Sequence, residues 1–212
     1  MGVMGAWVVG VVTDGSLEEA RRRFPGAARA HGMWPEPPAG MSRWRGRFES
    51  AGSFGGTSER SSSYTDEIVR FVAAVDRVRN SEAEADEFQD HLLQAVPRQA
   101  SEGLFCAAVP RGDGAAALTW GLGLDSVLRL PGCCGQLLLD AAQVRAVLPD
   151  AEEALDLRPP RRAHVAARIR LWLDETADDP DCDVDELIDG PLRVLRHAAR
   201  TGAGAVGLTL WY

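Results

Sequence analysis

The sequence predicts an α+β fold: a single domain over residues 1–212, with a small mixed sheet that includes the N- and C-terminal strands, and about six helices. Three observations carry this. Ala6–Val12 and Ala205–Trp211 are apolar runs at opposite ends of the chain, each with the length and composition of a strand buried on both faces. The middle is dominated by segments whose apolar residues recur at helical spacing. Strands and helices do not alternate regularly, which argues against a doubly wound parallel sheet. The length of 212 residues fits one domain. Such a chain buries roughly 70% of its unfolded surface and needs no disulfide or metal to fold.

The elements follow in order. The first strand stops at the turn signal Thr13-Asp14-Gly15. Ser16 and Glu19 stand at capping-box spacing and open a helix that ends before Pro25. Residues 25–63 are rich in Pro, Gly and Ser and hold at most one short strand, around Ser42–Glu49. Within them, 34–62 bury too little apolar area to offset ordering entropy, so this stretch is expected to be the most mobile. Helices follow at Tyr64–Arg79, with Ile68, Val69, Val72 and Val75 on one face, and at Glu82–Val96, with Phe88, Leu92 and Leu93. Phe105–Val109 and Ala115–Trp120 bracket Arg111-Gly112-Asp113 and read as a β-hairpin. Two glycine-marked connections surround Val127–Leu130. Asp140 caps a helix from Ala141 to Leu148, which Asp150 extends toward Leu155. Pro159-Pro160 opens another, to Leu173. The last helix runs from Val184 to Arg200 and ends at Gly202.

Composition limits function. The chain carries 31 acids against 23 bases, a net charge of −8, and is repelled by polyanions unless it concentrates its arginines. Residues 1–48 hold seven Arg against four acids, too few and too scattered for a nucleic-acid surface. All 23 bases are Arg, which excludes Schiff-base and P-loop lysines. The Ala, Gly and Arg bias resembles that of GC-rich actinobacterial proteomes. The apolar start is too short to span a bilayer and lacks the basic opening of a signal peptide. The four Cys are not spaced as a zinc site, and reduced thiols in a cytoplasm fit best. No cofactor, nucleic acid or membrane is expected.

Several motifs have a plainer reading beside the functional one. Asp179, Asp181, Asp183, Asp185 and Glu186 alternate like the start of a calcium loop. The glycine and glutamate such a loop requires are replaced by Val184 and Gly190; the plainer reading places the last acids at a helix N-terminus. Arg111-Gly112-Asp113 spells an adhesion tripeptide but reads as a turn. Gly121 and Gly123 lack the third glycine of a dinucleotide fingerprint. Cys133 or Cys134 would need a histidine to act as a nucleophile; the plainer reading is two buried thiols. His164 and His197 fall on partly exposed helix positions.

The opening Met1-Gly2-Val3-Met4-Gly5-Ala6-Trp7, and the closing stretch from Glu186 to Val206 with its helix, glycine turn and strand, resemble the YfbM-like family of bacterial proteins of unknown function. The resemblance covers less than a fifth of the chain. It implies terminal strands paired in one sheet and assigns no catalytic residue.

The unusual residue is tryptophan, six against two tyrosines. Trp34, Arg43, Trp44 and Arg45 share the irregular segment. Trp120, Asp125 and Arg129 share the glycine-marked one. A site for an anionic ligand or protein surface is expected where the two segments meet, with Arg forks as the recognising groups. Two functions remain open: a binding or interaction protein, immunity-like or regulatory, and a small enzyme of secondary metabolism with a scattered acid, His or Cys site.

Overall fold

The computed structural model describes residues 4–30, 85–99, 102–132, 135–176 and 182–212, with isolated positions at 70 and 73. The predicted helix Tyr64–Arg79, the strand Ser42–Glu49, the mobile stretch 34–62 and the Cys133–Cys134 pair lie outside these residues, the two isolated positions aside.

Four strands form one sheet in the order β2-β1-β4-β3. They are β1 (Met4–Val12), β2 (Leu104–Pro110), β3 (Leu137–Leu139) and β4 (Gly204–Trp211). The terminal strands pair along their length, with Val8 opposite Leu208 and Val12 opposite Gly204. All three pairings are antiparallel, so the sheet is not mixed. Eight helices are present among the described residues, against the six or so expected. They are α1 (Asp14–Arg23), α2 (Pro25–Ala30), α3 (Ala85–Ala95), α4 (Gly114–Leu122), α5 (Leu124–Val127), α6 (Ala141–Leu155), α7 (Pro159–Thr176) and α8 (Val184–Thr201).

Helices cover both faces of the sheet. Trp7, Val9, Phe105, Val109, Leu137 and Leu139 pack with residues of α4, α6, α7 and α8. Val8, Val12, Leu138, Val206 and Leu208 pack with α1, α2 and α3 through Leu17, Ala27, Phe88 and Leu92. Burial on both faces is why β1 and β4 are apolar throughout rather than alternating. The edge strand β2 does alternate, with Phe105, Ala107 and Val109 buried and Cys106 and Ala108 exposed.

Some elements differ from the sequence reading. Thr13, not Ser16, caps α1: its side chain accepts from the Ser16 N–H at 3.2 Å. Pro25 opens the short helix α2, because proline is pre-set for a first helical turn. Leu124–Val127 forms the single turn α5 in place of a glycine-marked connection. Asp150 caps nothing, since α6 runs unbroken through Pro149 to Leu155.

The largest difference is the predicted hairpin. Residues 115–120 are helical, inside α4, not a strand. A short apolar run has no period that separates a buried helix from a buried strand, and all nine residues of α4 are buried. Asp113 decides it. Its Oδ1 accepts from the Ala115 and Ala116 N–H groups, each at 3.0 Å. We expect Asp113→Ala to destabilise the fold by about 1–2 kcal/mol, read by urea unfolding. A cost below the error of that measurement would show that α4 is held by packing alone.

Candidate functional site

Only part of the expected site lies on described residues. Trp34, Arg43, Trp44 and Arg45 lie outside them. Trp120 is 2% exposed and belongs to the core, with its ring centroid 5.4 Å from that of Trp172. Asp125 and Arg129 are exposed, and Arg129 is ion-paired with Glu153. None of the three lines the cleft described next.

That cleft is built on α8. Asp183 caps the helix, its Oδ1 accepting from the Asp185 and Glu186 N–H groups at 2.9 and 3.2 Å. This matches the plainer reading of the acidic run. Gly202, in the left-handed region at φ 67°, ends the helix. Leu187, Ile188, Val194, Leu195 and Ala198 turn inward. The outer side carries acids at its N-terminal end, Asp185, Glu186 and Asp189, and bases further on, Arg193, Arg196 and Arg200. That order complements the helix dipole.

The cleft has a volume of about 210 Å³. Arg162, Arg193, Arg196 and Arg200 line it with Glu102, Asp156 and Asp189, beside the buried Leu155 and Leu192. The lining therefore holds four cations and three anions, in a protein whose net charge is −8.

Each guanidinium is tethered. Arg162, on α7, bonds Asp189 at 2.7 and 2.8 Å and Asp185 at 2.7 and 3.2 Å. Arg193 forks onto Glu186 at 2.6 and 2.8 Å and reaches the Leu104 carbonyl at 3.4 Å. Arg196 donates to Glu152 at 2.8 Å and to Asp156 at 3.3 Å. Arg200 donates to Glu102 at 2.5 Å, and Glu102 also lies 3.4 Å from Nδ1 of His197. These bonds hold the Arg162, Arg193 and Arg196 pKa values above that of a free guanidinium, chiefly through Asp189, Glu186 and Glu152 respectively.

A guanidinium has five N–H donors. Among the described residues Arg162 commits four, Arg193 three, Arg196 two and Arg200 one. Arg196 and Arg200 therefore combine a fixed position with donors still open to a ligand. The sequence carried a signal for this: Arg193, Arg196 and Arg200 recur at i, i+3 and i+7, one face of a helix. By itself that spacing equally describes a solvated helix face.

Among the described residues, His164, Cys106 and Cys182 are not part of the cleft lining. His164 is exposed on α7. Cys106 is a free thiol, and desolvation pushes its pKa up, which disfavours the nucleophilic thiolate. A second, apolar hollow of about 40 Å³ lies between Trp7, Leu118, Pro131 and Leu195. Comparison of the chain with family models, curated proteins and solved structures found no match.

Proposed function

We propose that this chain is a non-catalytic binding protein that receives an anionic group of a ligand or partner in the arginine cleft of α8. One observation carries the reading: Arg196 and Arg200 line one cleft, are positioned by carboxylates, and among the described residues keep most of their donors uncommitted. Preorganised forks lose little conformational entropy on binding and suit anionic oxygens. Both side chains are about half exposed, so the interaction is moderate and weakens with salt. Among the described residues no helix is long and apolar enough to cross a membrane. The free thiol of Cys106 suits a reducing cytoplasm, where we place the protein. The two terminal segments support kinship with the YfbM-like family, and an immunity-like or regulatory role is compatible with a binding cleft.

The test is nuclear magnetic resonance titration with acetate, succinate, inorganic phosphate and phosphoserine at low ionic strength. At least one anion should shift the amides of Glu102 and Leu192–Arg200. The pair of substitutions Arg196→Ala and Arg200→Ala should weaken that binding at least tenfold. The same pair should lower the melting temperature by only a few degrees, since exposed ion pairs contribute about 0–1 kcal/mol each. No shift on α8 with any of the four anions, or equal binding by the double variant, would end this reading.

A further inference from the structure

Resting on that reading, we infer that the group taken by the cleft is a tetrahedral dianion, an inorganic phosphate or a phosphate monoester, rather than a carboxylate. Arg196 and Arg200 are four residues apart in α8, neighbours on one helix face with Cβ atoms roughly 5–6 Å apart. Both line the same cleft. A planar carboxylate is satisfied by one guanidinium fork. A phosphate near neutral pH carries a charge of about −1.5 to −2 and three acceptor oxygens, so it can take donors from two forks together. The three donors of Arg196 and the four of Arg200 that are uncommitted among the described residues exceed what a single carboxylate can accept.

The carboxylates set the affinity. Glu152 holds Arg196 at 2.8 Å and is not part of the lining. Asp156 is part of it, is 72% exposed, and holds Arg196 only at 3.3 Å. It is the weaker tether and the nearer like charge to an entering anion. Glu102, which also lines the cleft, anchors Arg200 at 2.5 Å, and Asp189 faces the cleft while bound to Arg162. Asp156 is thus a competitor that the ligand displaces, while Glu152 keeps the guanidinium in place.

This yields a gain of binding, which misfolding cannot produce. Asp156→Asn keeps the shape, removes one negative charge and leaves Arg196 a neutral, weaker acceptor that an anion displaces more readily. It should tighten phosphate binding roughly three- to tenfold at low salt, an advantage that shrinks as salt rises. Arg196→Lys with Arg200→Lys keeps both charges but removes the forks, and should weaken phosphate binding about tenfold. The measurement is the same amide titration, with inorganic phosphate, phosphoserine, acetate and succinate compared directly. Phosphate or phosphoserine should bind at least tenfold tighter than acetate. Preference for phosphoserine over inorganic phosphate assigns the site to an esterified group, and equal binding assigns it to the free ion. Carboxylates binding as tightly as phosphate, or Asp156→Asn weakening phosphate, would overturn the inference while leaving an anion cleft standing. Silence of α8 toward all four anions removes both.

Discussion

Trp172→Ala should lower the unfolding free energy by about 3–5 kcal/mol, the range for deleting a large buried aromatic side chain. Trp172 is fully buried on the inner stripe of α7, with Val165 and Ile169. Its ring packs at a tilt of 44° against Trp120, which α4 supplies. The side chain therefore joins α7 to α4 at the centre of the larger apolar layer. Removing it leaves a cavity that two helices cannot close without moving against the sheet. For a chain of 212 residues the loss corresponds to a fall in melting temperature of roughly 10 °C. Urea unfolding and calorimetry measure it. A cost below about 1 kcal/mol would mean that α4 and α7 are not held by this contact.

Gly190→Ala should destabilise the protein by about 2 kcal/mol, although alanine in place of glycine within a helix ordinarily stabilises by about 1 kcal/mol. Gly190 lies inside α8, where a Cβ would stand 2.1 Å from Cδ2 of Phe105. Phe105 cannot withdraw freely, because its ring packs edge-on against Trp7 with centroids 5.0 Å apart. The missing Cβ is what lets α8 approach β2. The same approach brings Arg193 within 3.4 Å of the Leu104 carbonyl, so the cleft depends on it. Phe105→Leu in the Gly190→Ala background should recover part of the loss. The double-mutant cycle should show coupling of about 1 kcal/mol or more. Independent, additive effects would refute the close-packing account.

How much of this was legible beforehand follows from the range of the forces involved. Local signals were readable. Asp140 caps α6 with Gln143 in a reciprocal capping box, Pro159 opens α7, and Gly202 closes α8 in the left-handed region. Each depends on a few neighbouring residues whose backbone hydrogen bonds must be met at a helix end. The terminal strands were readable because apolar residues on successive positions have to be buried on both faces. Arg111-Gly112-Asp113 lies at a turn, as its residue types predict, with Arg111 at φ 52°, though the turn leads into α4 and not into a second strand.

Other features were decided by contacts distant in sequence. Ala115–Trp120 became helix because it is enclosed on all sides, where strand and helix patterns of apolar residues coincide. Trp120 reads as a ligand-binding aromatic in the chain and is a core residue in the fold, because its partner Trp172 lies 52 positions away. The arginine cleft joins Glu102, Asp156 and Arg162 to the outer side of α8. The sequence alone determined the α+β class, the paired termini and the bounds of α6 and α8 with the start of α7, since those follow from local periodicity and capping. Only the tertiary structure decided which arginines share a cleft and which carboxylates hold them, because charges are brought within hydrogen-bonding distance by packing between helices.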